Sequence, residues 1–415
     1  MHFYIANVNL GCNFPLVMLN CTMKSRKYQR LLKKPERSFF LFGARGTGKS
    51  TWLKENLKGA EFFDLLDSSL LLELTADPTA LAAMVKSLPK EQWIVLDEVQ
   101  KVPALLSEVH RLIESEGRRF ALCGSSARKL RRSGVDLLAG RALNLSLEPF
   151  VSAELGDVFD LDLALEFGLL PLVFNDPDYA PDILKAYVDM YIKEEIREEG
   201  AVRKLAPFLR FLSIAGQING QVLNAQNIAR DAAVPRSNVD GYFSILTDTL
   251  LAHFLPAYRP GLKVRESARP KFFWVDAGIA RAASGLLYDP LDRMIKGAAL
   301  ETLIFHELRV YNSTARKHRD IAYYRTAKGS EVDFVVETAK KMNSSSARII
   351  CIEVKMAEKW SRKWERAMRG LNAESGIEVD RMIGVYTGER SYHYDGLDVW
   401  PVTRFLKELH AGNIF

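Results

Sequence analysis

Residues 38–50 read SFFLFGARGTGKS, an apolar run ending in Gly43-Ala44-Arg45-Gly46-Thr47-Gly48-Lys49-Ser50, and the amphipathic TWLKENL follows from Thr51. A strand that turns through glycines into a helix is the context in which the spacing G-x-x-x-x-G-K-[ST] binds phosphate. The glycines let successive N–H groups converge on phosphate oxygens. Lys49 offers a point charge to the β and γ phosphates, and Ser50 offers its hydroxyl to Mg²⁺. Trp93-Ile94-Val95-Leu96 then reads as a buried strand ending in Asp97-Glu98. A carboxylate at that strand end faces the phosphate loop, so Asp97 is expected to hold Mg²⁺ through water and Glu98 to act as general base on the attacking water. The alternative is a surface acidic pair after a core strand.

Composition sets the frame for this motif. With 415 residues, 48% hydrophobic and 26% charged, the chain is long enough for two to four domains and is neither disordered nor fibrous. A net charge of +6 is too small to identify a nucleic-acid binder and permits one if the charge is clustered. Cys12, Cys21, Cys123 and Cys351 show neither C-x-x-C spacing nor paired histidines, which argues against a zinc site or a disulfide framework and fits a reducing cytoplasm. No apolar run approaches the roughly 18 to 20 residues that cross a bilayer. The first residues lack a secretory pattern, and Met18 or Met23 is a plausible true start.

From Arg37 to Leu147 short apolar strands alternate with amphipathic helices, the pattern of a parallel sheet with helical crossovers. The expected organisation is an extension over 1–23, a phosphate-loop core over 24–150, a helical lid and connector over 151–215, a winged helix-turn-helix over 216–268, and a second α/β unit over 269–415. The third unit rests on the helix NAQNIARDA, the turn at Ala233 to Pro235, the helix RSNVDGYFSILTDTLL and a Pro- and Gly-rich return. Arg236, Ser237 and Asn238 would face a groove, although such modules also serve as protein spacers. The strand KFFWVD is expected to open the last unit, whose later strands are IAYYRT, EVDFVVE, RIICIEVK and one near RMIGVYT.

Two further readings concern chemistry. The strand RFALCG ends at Ser125, which either senses the γ-phosphate or caps a helix. Arg128, Lys129, Arg131 and Arg132 precede Arg141, which is a candidate arginine finger toward a neighbouring subunit, or part of a solvated basic face. In the last unit Glu301 on a helix, Asp333 near a strand start, and Glu353-Val354-Lys355 at a strand end place three carboxylates and a lysine where a sheet edge would gather them. Such a set binds Mg²⁺ through Asp333 and Glu353, with Lys355 positioning or deprotonating water and Glu301 completing the shell. An ordinary amphipathic strand with a wet face fits the same spacing. The basic residues Lys359, Arg362, Lys363, Arg366 and Arg369, interleaved with Trp360 and Trp364, would suit phosphate contacts or a solvated face.

Several blocks together resemble a known family: the phosphate loop, LDEVQKVP (96–103), CGSSARKL with LAGRA, GQINGQVLNAQNIARDAAVP (216–235), KFFWVDAGIA (271–280), and YYRTAKGSEVDFVVE with IEVK. The chain resembles the prokaryotic AAA-type ATPases that carry a C-terminal domain of long-unknown function, over nearly all of Lys24 to Trp400. The resemblance implies a P-loop AAA-type ATPase domain with a helical lid, a winged-helix segment, and a restriction-endonuclease-like α/β domain of the PD-(D/E)XK kind. The motif positions of that last domain would fall on Glu301, Asp333, Glu353 and Lys355. FGLLP (167–171) departs from the family pattern, which would place a second glycine before the proline. Fold-level likeness does not assign chemistry. The expected function is a cytoplasmic, ATP- and Mg²⁺-dependent ATPase acting on DNA, with homo-oligomer formation possible and no membrane partner. The alternative is a regulatory ATPase switch whose terminal domains bind DNA or protein without cutting.

Overall fold

The computed structural model describes residues 28–125, 138, 140–193, 205–259, 269–326, 329–340, 346–372 and 377–415. Met18, Met23, Arg128, Lys129, Arg131, Arg132 and most of the Pro- and Gly-rich return lie outside the described residues.

The first sheet holds β1 (Phe39–Phe42), β2 (Glu61–Asp64), β3 (Trp93–Asp97), β4 (Arg119–Gly124) and β5 (Leu143–Ser146), all parallel, in the order β2-β3-β4-β1-β5. Alternation along each strand sends side chains to opposite layers. Phe39, Leu41, Val95 and Cys123 meet Trp52 and Leu53 of α1 (Lys49–Asn56). Phe40, Phe42, Ile94 and Leu96 meet α2 (Ser68–Ala76), α3 (Ala80–Lys86) and α4 (Leu105–Glu116). Strands covered on both faces need unbroken apolar runs, which FFLF and WIVL supply. The edge strands EFFD and LNLS are half-buried or exposed and carry no such run, so the hydrophobic pattern does not disclose them.

Residues 151–193 are helical as expected, with α5 (Ser152–Leu155), α6 (Leu161–Phe167), α7 (Pro171–Phe174), α8 (Ala180–Ala186) and a π-helical stretch over Tyr187–Ile192. The expected border after 215 falls inside α9 (Leu205–Gln217). Phe208 and Phe211 of this helix pack on Tyr242, and Phe211 also packs on Phe243, so α9 belongs with the unit that follows. That unit continues with β6 (Gln221–Val222), α10 (Ala225–Asp231), α11 (Arg236–Asp248), β7 (Ala252–Leu255) and β8 (Lys271–Trp274), the three strands forming one antiparallel sheet in the order β6-β8-β7. The expectation that KFFW opens the C-terminal α/β unit is therefore corrected. Phe272 and Trp274 project into the aromatic core of the unit holding α9 and α11, with Phe243 and Phe272 centroids 4.9 Å apart. An apolar run does not say which sheet it will join. α12 (Ala277–Ser284) closes back on α9, where a Cβ on Gly216 would meet the Ser284 nitrogen at 2.3 Å.

The C-terminal unit contains α13 (Arg293–Thr314), β9 (Asp320–Arg325), β10 (Glu331–Ala339), β11 (Ala347–Lys355), α14 (Arg366–Asn372), β12 (Ile377–Tyr386), β13 (Tyr392–Tyr394), β14 (Leu397–Pro401) and α15 (Val402–His410). Its sheet runs β13-β14-β12-β11-β10-β9, antiparallel among β9, β10 and β11 and parallel from β11 through β12 to β14. Val402, Phe405, Leu406 and Leu409 of α15 recur at helical spacing and seal one face of the sheet.

The helical segment 151–193 is tied to the second unit by a backbone constraint at FGLLP. Gly168 has φ +77° and ψ −167°, a region open only to glycine, and a Cβ there would meet the Asp276 carboxylate at 1.9 Å. Asp276 accepts hydrogen bonds from Leu169 N (2.6 Å) and Ile279 N (3.1 Å), capping α12 while gripping that segment. Where the family pattern would place a further glycine, Leu169 and Leu170 are buried, and Leu170 shares a core with Ala44 of the phosphate loop. Gly168→Ala is expected to lower stability by about 3 kcal/mol, combining backbone strain with loss of the Asp276 contacts. Urea unfolding of the variant beside the native chain checks this.

Candidate functional site

The phosphate loop leaves β1 and enters α1. Gly46 and Gly48 take φ of +84° and +88°, and a Cβ on Gly43 would meet the Leu147 carbonyl oxygen at 2.3 Å, so the loop can be drawn only with glycine there. Lys49 is buried, and its Nζ donates to the carbonyls of Gly43 (2.7 Å) and Ala44 (3.2 Å), curling over the loop. Thr47 Oγ1 donates to Ala44 O at 2.9 Å. Tyr187 of the π-helical stretch donates to the Arg45 carbonyl at 2.9 Å and so holds the loop to the helical segment 151–193. Ser50 Oγ donates to Asp97 Oδ2 at 2.7 Å, although β4 lies between β1 and β3. A hydroxyl and a carboxylate meeting beside the loop are a hard-oxygen pair suited to Mg²⁺, so the residues present fit that ion.

Beside the loop a cavity of about 390 Å³ is lined by Tyr28, Arg30, Thr51, Phe150, Pro171 and Asn175 among others. Pro171 of FGLLP thus faces the same space as the first turn of α1. On the Tyr28 side Phe174 meets the rings of Tyr28 and Phe150 edge to face, and those two rings are tilted against each other.

Glu98 stands next to Asp97 with φ 56°, a left-handed conformation rare for glutamate. Its carboxylate accepts a close hydrogen bond from the Gln100 amide, which also reaches Ser125 Oγ at 3.3 Å. Gln100 is buried against Gly124, where a Cβ would meet its Oε1 at 2.4 Å. Gln100 is the residue that motif spacing passes over. It lies two residues beyond the acidic pair in LDEVQ, and its importance depends on β4 bringing Gly124 and Ser125 alongside. Arg141 forms an ion pair with Glu114 at 2.5 Å and is not among the residues lining the loop cavity.

The C-terminal candidates do converge. Glu353 and Lys355 share a face of β11 and pair at 2.5 Å. Asp333 of β10 accepts from Val354 N (2.8 Å) and from Lys355 Nζ (3.2 Å), and Lys355 also donates to the Val354 carbonyl (2.9 Å). Glu301 reaches the group from α13. Two residues missed in the sequence join it: Lys271 of β8 stands 3.4 Å from Glu301, 3.8 Å from Asp333 and in close contact with Glu331. Glu331 lies two residues before Asp333 on β10, and Lys271 arrives from a strand of a different sheet, a meeting that spacing along the chain does not reveal. Burial first, and then the Asp333 carboxylate, push Glu301 up to about 7 and Glu353 up to about 8. Glu353 Oε2 is buried with no hydrogen-bond partner. An orphaned carboxylate oxygen beside Asp333 suits a hard cation. Among the described residues, however, no group of three or more His, Cys, Asp or Glu side chains is placed to hold a metal ion, and the ammonium groups of Lys271 and Lys355 stand among these carboxylates.

The basic stretch after β11 is exposed at Lys359, Arg362, Lys363 and Arg366 and is anchored through one buried acid. Buried Glu365 gathers Arg362 (3.4 Å), Arg369 (2.7 Å) and Trp360 Nε1 (3.3 Å), while Trp360 and Trp364 pack edge to face. Of the residues expected to suit phosphate contacts or a solvated face, Arg362 and Arg369 are paired with Glu365 and both tryptophans are partly buried. The acid that holds Arg362, Arg369 and Trp360 sits within the stretch itself.

Three family models match the chain: an AAA domain over residues 35–156, a domain of unknown function (DUF8612) over 158–289, and a domain of unknown function (DUF4143) over 296–405. Among solved structures, the ORC1 protein of Aeropyrum pernix in complex with DNA is 15% identical, covering 61% of this chain and 87% of its own, with a TM-score of 0.27. A signal-transduction ATPase with numerous domains and a tetratricopeptide repeat sensor, from Pyrococcus horikoshii, is 13% identical, covering 68% of this chain and 46% of its own, with a TM-score of 0.23. No curated protein matches the chain. Residues 35–156 are thus an AAA-type P-loop domain, in agreement with the parallel sheet and the loop it carries. No helix among the described residues is long and apolar enough to cross a membrane.

The raised carboxyls of Glu301 and Glu353 predict a pH dependence. Groups that hold protons more tightly when folded stabilise the fold fully below their unfolded value, about 4.3 for Glu, and lose that contribution as pH rises through the folded value. In EDTA the chain is expected to lose stability between about pH 5 and 8, and Glu353→Gln to flatten that slope. Urea midpoints across the range test it.

Proposed function

We propose that the protein is an ATP-hydrolysing AAA-type ATPase that acts on DNA, with a C-terminal nuclease-like site that depends on Mg²⁺. The observation that carries the ATPase part is the meeting of Lys49, Ser50 and Asp97 at the loop, with Glu98 next in line. Lys49 would leave its carbonyl partners for the β and γ phosphates, the loop N–H groups would orient them, and Ser50 and Asp97 would hold Mg²⁺. When bound, that ion offsets charge on the phosphate oxygens. Glu98 would take a proton from the attacking water once Gln100 releases its carboxylate. In this reading Ser125 acts through Gln100, and Arg141 serves only across subunits of a homo-oligomer.

The DNA part rests on the second unit. Its order of helix, short strand, two helices and a hairpin is that of a winged helix, and we place it at 205–274 instead of 216–268. Arg236, Ser237 and Asn238 are exposed at the start of α11, beside a cavity of about 550 Å³ that Asn224, Gln226 and Arg269 also line. Arg236 pairs with exposed Asp240 at 2.7 Å, a contact that phosphate would replace at little expense. The restriction-endonuclease-like reading of residues 293–415 is supported by the convergence of Glu301, Asp333, Glu353 and Lys355. There Asp333 and Glu353 would hold the metal, Lys355 would hold or pass the proton of the attacking water, and Glu301 would complete the shell. A second reading, a regulatory ATPase that binds without cutting, is favoured by the ammonium groups now standing among those carboxylates.

One preparation distinguishes these readings. Glu98→Gln is expected to keep ATP binding and lose turnover by at least about 10²-fold; turnover that survives removes Glu98 as base. Asp333→Ala is expected to abolish Mn²⁺-dependent plasmid nicking, and a native chain that never nicks favours the regulatory reading. DNA affinity in a filter assay is expected to fall steeply with salt. Gln100→Leu, which frees the Glu98 carboxylate while keeping side-chain volume, is expected to raise basal kcat about fivefold with KM for ATP unchanged, the size of one neutral hydrogen bond.

A further inference from the structure

The C-terminal carboxylate cluster contains a cation from another sheet. Lys271 lies on β8, which pairs with β6 and β7 and with no strand of the six-stranded sheet. Residues two apart on a strand share a face. Phe272 and Trp274 enter their own aromatic core, whereas Phe273 packs on Phe305 of α13 with centroids 4.8 Å apart. Lys271 shares the face of Phe273, so the strand pleat delivers its ammonium to the C-terminal unit. Its side chain is 4% exposed and stands over the Tyr323 ring at 5.6 Å. Backbone bonds clamp the junction beside it: Tyr258 N donates to Tyr323 O (2.6 Å) and Tyr323 N to Pro256 O (2.9 Å).

The partners of Lys271 are oxygens that the metal reading also needs. Glu301 and Asp333 lie within 3.4 Å and 3.8 Å of its Nζ, with Glu331 in closer contact. A divalent ion takes carboxylate oxygens at about 2.0 to 2.6 Å and repels an ammonium held on the same atoms. The cluster is also left incomplete by its lysines, since Glu353 Oε2 is buried at 5% residue exposure and has no partner. KFFWVDAGIA, prominent in the sequence, has no part in the phosphate-loop chemistry.

We infer, resting on the reading of this cluster as a divalent-cation site, that Lys271 is its tethered occupant. While β8 is docked, the ammonium of the preceding unit fills the seat and keeps metal out; withdrawal of β8 opens it. The carboxylate site is thereby answerable to the position of the winged-helix unit.

The test uses the full chain without nucleotide and Mn²⁺ as the probe, read by titration calorimetry, by the paramagnetic signal of free Mn²⁺, and by the rise in Tm that the ion produces. Lys271→Met keeps the hydrocarbon stem over Tyr323 and is expected to bind Mn²⁺ about tenfold more tightly than the native chain, the effect of removing one close charge. Its Tm should fall in EDTA and recover with Mn²⁺, while Lys271→Arg should behave as the native chain does. Glu331→Gln, which loosens the lysine and leaves Asp333 and Glu353, should shift affinity in the same direction by a smaller factor, and it serves if Lys271→Met does not fold. Equal Mn²⁺ affinity in the native chain and in these variants, abolished by Asp333→Asn, would overturn the role of Lys271 and leave the metal site standing. No binding by any of them, indistinguishable from Asp333→Asn, would overturn the metal reading and this inference with it.

Discussion

A charge buried in protein is tolerated where it is paired, and α13 concentrates that constraint. Within three turns this helix carries Glu301, Thr302, His306, Glu307 and Arg309; the first two are bonded to the second unit and the last three to the segment 148–152. Glu301 meets Lys271; Thr302 Oγ1 accepts from Asn219 at 2.8 Å; His306 contacts the Phe150 carbonyl at 3.0 Å. Glu307 accepts from Ser152 N at 2.7 Å and pairs with His410 at 2.5 Å, and Arg309 pairs with Glu148 at 3.1 Å. Removing one partner of such a pair leaves an uncompensated charge and costs about 3 to 5 kcal/mol. The units that meet at α13 are therefore joined by buried polar pairs as well as by apolar contacts.

The same helix stands between the two candidate sites. Residues 148–154 run from the end of the AAA domain across α13, and Arg30, which lines the phosphate-loop cavity, binds Glu154 of that segment at 3.2 Å. Burial works against the charge on Glu148, yet the Arg309 guanidinium, with the His253 and His306 rings, holds its carboxyl down to about 2. His253 comes from β7 of the second unit, so a single buried polar cluster joins all three units. A change of contacts at Arg30 or Phe150 has a continuous path of pairs to the helix that presents Glu301. That continuity is spatial; a measured coupling energy would make it a mechanism.

Much was legible in the residues themselves. The phosphate loop, the acidic pair after β3 and the Glu353/Lys355 face follow from local rules, because backbone curl at glycine, unbroken apolar runs and the two-residue strand repeat are set by near neighbours. The two helices on either side of the turn at Ala233 to Pro235 were visible for the same reason. The short strands β2 and β5 were not, since neither carries the unbroken apolar run by which β1 and β3 were read. Gln100 was also passed over: its chemistry arises from β4, more than twenty residues away, bringing Gly124 and Ser125 beside it.

What the chain alone determined was the chemistry on offer: a loop shaped for triphosphate, a carboxylate pair facing it, and a second carboxylate set with a lysine. Tertiary structure alone decided which of these groups meet and what stands between them. KFFW is equally apolar in either sheet, and only its docking through Phe272 and Trp274 sends Lys271 among Glu301, Glu331 and Asp333. Arg362 and Arg369 read as a basic surface until Glu365 is seen to claim them. Charge acts across space with no regard for sequence separation, so the sign of a stretch can be read from its letters while its partner cannot.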